Sequence, residues 1–175
     1  MRGDVVTATA EQQAGLRLWA RGLYPYEAGV ELLIRHRSLA DRMAAGGFLL
    51  SNAEDPEVPR GLVWPDVAGF VDSGPGLSGS QRRIVAIIGS LLGVEGYAVD
   101  LSDAVAGLDR DNMALVLAAL SHANGAHEHR DMTALHQALA EAQRDGATTL
   151  AWDPAADEPL PPLYPWPAEA VTAGG

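Results

Sequence analysis

The sequence predicts a mainly α-helical fold, an irregular bundle of about five to seven helices with short extended segments and a Pro-rich C-terminal arm. Two observations lead to this prediction. Several stretches place apolar residues at helical spacing, and turns containing Gly or Pro separate these stretches. We expect one helical domain over residues 1–152 and an arm over residues 153–175, packed on the domain or on a partner.

Three helices are predicted near the start of the chain. Thr9 and Gln12 are spaced as in a capping box, in which each side chain bonds to the other residue's backbone amide, so the first helix begins there. Pro25 suits the first turn of a second helix over about residues 26–36. Ser38 starts a short third helix, which a Gly-Gly pair ends.

The helical spacing of apolar residues is interrupted in the middle of the chain. Residues 48–50 and 62–64 are predicted to be short strands around a Pro-rich loop, and residues 65–72 to be a short helix. The clearest helical pattern follows over residues 80–92. Its apolar residues recur at the spacing of a buried stripe: Ile84, Ile87, Ile88, Leu91 and Leu92.

Two further helices are predicted before the arm, and each begins at an aspartate. Asp109 caps a long helix to about Asn124, with an apolar face formed by Met113, Val116, Leu117 and Leu120. Asp131 caps a last helix to about Asp145, whose inward residues are predicted to be Met132, Leu135 and Leu139. Residues 148–152 are a candidate short strand, and six prolines after residue 153 exclude a regular helix or strand there.

The charge and composition exclude several classes of partner. The formal net charge is −11, and all 12 Lys and Arg positions are Arg. A strongly acidic protein repels nucleic acid and anionic lipid, so neither is expected as a partner. The chain has no Cys, no apolar stretch long enough for a membrane span, and no apolar region near its N-terminus of the kind that a secretory signal contains. A soluble protein in the cytoplasm is therefore expected.

Two stretches resemble motifs of ABC-transporter ATPases. GPGLSGSQRRIVAIIGSLLG, residues 74–93, resembles the signature sequence of that family, and GLDRDN, residues 107–112, resembles one of its turns. The resemblance would imply ATP hydrolysis, but the phosphate-binding loop of such enzymes needs a Lys, and this chain has none. We therefore interpret both stretches as helix starts, capped by Ser78 or Ser80 and by Asp109, and expect no ATP binding.

Four of the five histidines lie between residues 122 and 136. HEHRDM, residues 127–132, resembles the HxHxDH motif of metallo-β-lactamases. Met132 stands where that family places a metal-binding His, and no His follows His136, so the resemblance does not extend to a complete site.

A simpler mononuclear site is chemically reasonable in the same segment. His127 and His129 would bind a divalent metal ion, with water as a further ligand and Glu128 as a base. The third protein ligand would be Asp131, His122 or His136. The alternative interpretation is that these histidines are surface residues of a loop between two helices.

The C-terminal arm contains PLPPLYPWP, residues 159–167, which resembles a polyproline ligand segment. Its apolar residues are candidates for contact with a protein partner or with a second copy of the chain: Leu160, Leu163, Tyr164 and Trp166. The alternative is that the arm lies on its own domain and buries Tyr164 and Trp166 there.

Through SGSQRR, GLDRDN and YPWP, the chain resembles small hypothetical proteins of high-GC Gram-positive bacteria over about residues 10–167. This resemblance implies no function. Since no catalytic set is evident, the leading interpretation is a non-enzymatic accessory or protein-interaction protein that needs no cofactor and acts through an apolar surface, in one form as a homodimer. The alternative is a small metal-dependent hydrolase that uses His127 and His129.

Overall fold

The computed structural model describes residues 7–49, 76–150, 152–153 and 158–168. This part of the chain is mainly helical and contains no strand, which confirms the predicted irregular bundle. The α-helices are α1 (Ala10–Ala20), α2 (Tyr24–Arg35), α3 (Arg37–Ala45), α4 (Gly79–Leu91), α5 (Leu101–Val105), α6 (Arg110–Ala123) and α7 (Thr133–Asp145). A 3₁₀ helix, Ala126–Glu128, follows α6.

Side-chain caps determine where several helices begin. At α1, Thr9 accepts a hydrogen bond from the Gln12 amide at 3.1 Å, and Gln12 accepts one from the Thr9 amide at 2.9 Å. Ser78 and Gln81 repeat this capping box at α4, and Asp109 caps α6. Each cap gives partners to amides that the first helical turn leaves without them. The stretches that resemble ATPase motifs are thus the capped starts of α4 and α6, as interpreted from the sequence.

The central helix of the bundle is α2. It packs most extensively on α6 and also contacts α1, α3 and α4. A Cβ at Gly29 would lie 3.3 Å from the Leu92 side chain, so the absence of a side chain at this position lets α2 and α4 approach closely. Each large apolar side chain that is fully buried contributes about 1.5–3 kcal/mol. These side chains are Leu16, Val30, Leu32, Leu33, Leu39, Met43, Ile84, Val85 and Ile88.

The buried face of α6 differs from the predicted one. Leu120 was predicted to point inward, but 44% of its surface is exposed. The buried residues of α6 are instead Val116, Ala118, Ala119 and Ser121. Small side chains on this face allow α2 and α6 to come close together. His122 is three and four residues beyond Ala119 and Ala118, so it shares their face and comes within reach of α2.

The prediction that α7 has an inward face was wrong. None of the residues Thr133–Asp145 is buried, although Leu135 and Ala142 follow the helical spacing expected of a buried stripe. Leu139 is 42% exposed, and Met132, just before the helix, is 37% exposed. The sequence pattern indicated an apolar face correctly, but the described part of the chain does not cover that face.

Other predicted elements had mixed outcomes. The short helix α5 is capped by Asp100, whose carboxylate accepts a hydrogen bond from the Ser102 amide at 2.8 Å. Residues 148–150 and 152 do not form the candidate strand, while the predicted elements at 62–64 and 65–72 lie outside the described residues. Among the described helices, none has the length and apolar character needed to cross a bilayer.

Candidate metal centre

The packing of α2 on α6 brings together two side chains that are 95 residues apart in the sequence. Glu27 lies in the first turn of α2 and His122 in the last turn of α6. These are the ends at which helix dipoles favour an acidic and a basic side chain, respectively. His122 Nε2 lies 2.9 Å from Glu27 Oε2. Because a carboxylate only accepts hydrogen bonds, this nitrogen carries the proton.

His127 reaches the same place from the 3₁₀ helix. Gly125 ends α6 with a left-handed backbone, φ 76°, and the chain turns back over the helix end. The rings of His122 and His127 consequently stack, with centroids 4.0 Å apart and planes within 3° of parallel. A Cβ at Gly125 would lie 3.0 Å from the Tyr24 ring, so both the backbone conformation and the available space favour glycine.

Tyr24, the first residue of α2, holds the 3₁₀ helix in place. Its ring meets that of His127 edge-on, with centroids 5.0 Å apart and an interplanar angle of 77°. The Tyr24 hydroxyl donates a hydrogen bond to the Glu128 carboxylate. This hydrogen bond is the main cause of the raised pKa of Tyr24, because ionisation would remove the proton that the hydroxyl donates.

Glu27, His122 and His127 each offer one potential ligand atom, and these three atoms lie within 4.8 Å of one another. The arrangement leaves one nitrogen without a partner: His127 Nδ1 is buried and has no hydrogen bond among the described residues. All three side chains are half-buried. The group is therefore shielded from bulk water and still accessible to a small ion.

The electrostatics of Glu27 favour its ionised form. Burial is the largest single influence and raises the pKa of Glu27. The opposing effects outweigh it, namely a hydrogen bond from the Gly22 amide, another from His122, and the charges of both imidazoles. The pKa of Glu27 is therefore lowered, and the side chain is a carboxylate at neutral pH, as metal binding requires.

A groove of about 380 Å³ opens beside the three residues, between α1 and α2. Glu27 and His122 form part of its lining, together with Arg17, Arg21 and Glu31. Arg17 donates two hydrogen bonds to the Glu31 carboxylate. Arg35 donates a third at 3.1 Å. Burial raises the pKa of Glu31, but the two guanidinium groups lower it by more, so it too is ionised.

The C-terminal arm passes over the same end of the bundle. The backbones of Arg130 and Pro159 form an isolated antiparallel bridge. The centroids of the Trp166 and His122 rings lie 6.2 Å apart. The Arg35 guanidinium lies over the Trp166 ring, 5.0 Å from its centroid. Trp166 thus packs on the domain, while three other apolar residues of the arm are exposed: Leu160 by 43%, Leu163 by 72% and Tyr164 by 52%.

The structure separates the predicted metal ligands. Among the described residues, His127 belongs to the candidate ligand group together with Glu27 and His122. The sequence indicates His122 only as one of three alternatives for the third ligand. His129 and Asp131 are exposed and do not belong to it. Asp131 Oδ1 instead accepts hydrogen bonds from the Thr133 amide and hydroxyl. The N-cap residue of α7 is Met132 and not Asp131, which the sequence predicted, and it makes no side-chain capping bond.

Sequence reasoning missed Glu27 as a candidate ligand. It lies in a helix that the sequence pattern describes correctly, but 95 residues before its nearest ligand partner. A single sequence contains no signal for that contact, because the contact depends on how α2 and α6 pack.

Comparisons of the chain with protein-family models, with curated proteins and with solved structures found no match. The three side chains that converge at one end of the helical bundle are therefore the basis for a proposed function.

Proposed function

We propose that this protein binds a divalent transition-metal ion through Glu27, His122 and His127. Two imidazoles and one carboxylate are a ligand set that suits Zn²⁺ or non-haem Fe²⁺, with water or another ligand in the remaining position. Imidazole nitrogens disfavour Mg²⁺ and Ca²⁺, which prefer oxygen ligands. Zn²⁺ is the first ion to test, because three protein ligands and one open position match its usual four-coordinate geometry.

The observation that supports this proposal is the unpartnered Nδ1 of His127 within a group of three potential ligands. A buried polar atom without a hydrogen bond costs about 1–3 kcal/mol. A metal ion bound by the histidine pair would offset that cost, since it accepts a nitrogen lone pair. The lowered pKa of Glu27 adds a carboxylate that needs no deprotonation before it binds the ion.

Metal binding would change the local geometry in a defined way. Zinc–nitrogen bonds of about 2.0–2.1 Å place tetrahedral ligand atoms about 3.3 Å apart, so the three ligand atoms, which lie within 4.8 Å of one another, must rearrange around the ion. A metal ion lies in the plane of each imidazole that binds it, and two nearly parallel stacked rings with centroids 4.0 Å apart share no such position. One of the two rings must therefore tilt, and the His122–Glu27 hydrogen bond must be replaced.

Zinc titration of metal-free protein tests the proposal. We expect one Zn²⁺ per chain, and we expect Glu27→Gln, which keeps the size of the side chain but removes its charge, to weaken binding by at least about tenfold. Glu141→Gln, at an exposed position of α7, is the matched control and should leave the affinity unchanged. An absence of stoichiometric binding, or equal affinities for both variants, would contradict the proposal. A metal-dependent hydrolase, the predicted alternative, would need this same centre.

A second candidate function is self-association of a cytoplasmic accessory protein through α7. The observation that favours it is the uncovered apolar stripe of this helix, whose members are spaced as in the seam of a two-helix coiled coil: Met132, Leu135, Leu139 and Ala142. The exposed Leu160, Leu163 and Tyr164 of the arm extend the apolar surface of the protein.

Light scattering during size-exclusion chromatography measures this association. A second copy docked on α7 predicts a mass of two chains that returns to one chain in a Leu135→Gln/Leu139→Gln variant. The control is Gln137→Glu/Glu141→Gln, on residues of α7 outside the apolar stripe, which should leave the dimer intact. A single-chain mass at all accessible concentrations would refute self-association.

A further inference from the structure

We infer that the groove beside the metal centre binds a small organic oxyanion, a carboxylate or phosphate attached to an apolar group, as a ligand of the bound metal ion. This inference rests on the proposed metal binding and names the ligand class of the same site. It follows from three properties of the groove: its position relative to the proposed ligands, its charge and its apolar lining.

The groove lies directly beside the proposed metal ligands. Glu27 and His122, two of the three proposed ligands, also line this groove of about 380 Å³. A tetrahedral ion held by three protein ligands keeps one position for water or an exogenous ligand. The groove is where such a ligand can approach the ion, and it has room for a molecule larger than water.

The charge of the groove favours an anion only when the metal ion is present. The Glu31 carboxylate is paired with Arg17. Arg21, at the end of α1, also lines the groove, and its guanidinium has no hydrogen bond or ion pair within the described ranges. Two arginines and two glutamates give a net charge of zero, to which Zn²⁺ adds +2. We therefore expect the anion to bind after the metal ion, with Arg21 as its second contact.

The apolar lining selects the rest of the ligand. Leu18, on α1, is 46% exposed and faces the groove, which Val30 of α2 also lines. A hydrocarbon group attached to the anion would cover Leu18, since Val30 is already fully buried. Each methylene that the site removes completely from water strengthens binding about fourfold. A short alkyl chain is therefore expected to bind more tightly than the bare oxyanion.

Calorimetric titration with four anions tests the inference: acetate, hexanoate, inorganic phosphate and hexyl phosphate. With zinc-loaded protein, we expect at least one hexyl anion to bind about tenfold more tightly than its bare head group, and we expect no binding to metal-free protein. The comparison of hexanoate with hexyl phosphate identifies the preferred head group.

Two variants locate the anion. Arg21→Gln should weaken every anion that binds by about two- to fivefold, as for an exposed ion pair. Leu18→Gln should weaken the hexyl anions but not the bare ones. Arg144→Gln, at an exposed position of α7, is the control, and none of the three residues is a proposed metal ligand, so zinc affinity should be unchanged.

The outcomes separate this inference from the metal proposal. If zinc binds but none of the four anions does at millimolar concentration, or if the anions bind equally well without zinc, the inference is wrong and the metal site stands. If zinc itself does not bind, both are wrong. If binding is unaffected by Arg21→Gln and by Leu18→Gln, the anion lies elsewhere and the inference is wrong.

Discussion

Two pairs of histidines between residues 122 and 136 differ in what surrounds them. His122 and His127 stack on each other and contact Glu27, Tyr24 and Trp166 from distant parts of the chain. His129 and His136 are exposed on the surface, although only a few residues separate them from the first pair. Metal ligands must converge on one point, so the packing of separate elements determines which histidines can form a site.

The largest expected difference between the two pairs is in zinc affinity. His127→Ala or His122→Ala should weaken binding by at least about 100-fold, because residues that only support metal ligands already account for about 10–100-fold. His129→Ala and His136→Ala, matched in residue type and sequence region, should change the affinity by less than about twofold. Competition with a chromophoric zinc chelator measures all four variants.

Thermal unfolding of the same four variants without metal is the necessary control, since removal of His122 takes away one hydrogen-bond partner of Glu27 and leaves, among the described residues, only the Gly22 amide. The comparison between the two pairs would be refuted if His129→Ala or His136→Ala weakened zinc binding as much as His127→Ala did, in protein that remains folded.

The second prediction concerns the turn that positions His127. Gly125 and Gly146 both have left-handed backbones, φ 76° and 63°, but only Gly125 has a side chain close to its missing Cβ position. Each substitution by alanine should cost about 1 kcal/mol from the backbone. Gly125→Ala should cost about 1 kcal/mol more, because the new methyl group displaces the Tyr24 ring, and it should also weaken zinc binding by about tenfold.

Urea denaturation and zinc titration of both glycine variants measure these effects. Gly146→Ala isolates the backbone contribution and should bind zinc like the wild type. Equal stability losses and unchanged zinc affinity in both variants would show that the contact between Tyr24 and the turn does not position His127.

The smallest predicted effect is on the pH dependence of stability. It distinguishes Glu31 from Asp131, two carboxylates whose pKa values are both lowered. For Glu31, the opposing influence of burial is outweighed by Arg17, which lies on a different helix, and by Arg35, one turn further along α2. For Asp131, the cause is hydrogen bonding from the neighbouring Thr133. Local hydrogen bonds of this kind persist in part after unfolding, so Glu31 should link stability to pH more strongly than Asp131 does.

The sign of the pH effect follows from proton binding. Because the pKa of Glu31 is lower in the folded state, the unfolded chain binds the proton first as the pH falls below about 4.5. The stability that Glu31 contributes is present above that pH and is lost as the pH falls through its folded-state value. Below a pH of about 4.5, the free energy of unfolding should therefore depend less on pH in Glu31→Gln than in the wild type or Asp131→Asn. Equal slopes for the two variants would contradict this assignment.

Most helix starts could be predicted from the sequence, because caps such as Thr9, Ser78 and Asp109 act through neighbouring residues. The buried faces of the later helices could not. On α6 the alanines Ala118 and Ala119 lie inside while Leu120 is exposed, since close approach to α2 favours small side chains. From residue types alone, the larger apolar residue Leu120 is predicted to be buried in preference to the alanines.

The candidate site could be predicted only in part. The sequence indicated His127 as a ligand, since the density of histidines after α6 is visible in one segment. Glu27 was missed and His129 was included, because sequence spacing does not show that α2 lies beside the end of α6 or that the rings of His122 and His127 stack. Side-chain convergence between distant elements is a property of packing.

X-ray absorption spectroscopy of the zinc-loaded protein tests the central claim most directly, because it identifies the atoms bound to the ion. The structure predicts a four-coordinate ion with two imidazole nitrogens and two oxygens, one of them from Glu27, and a loss of one imidazole in His127→Ala. A first shell composed only of oxygen atoms, or a spectrum that His127→Ala leaves unchanged, would contradict the assignment of Glu27, His122 and His127 as a metal centre.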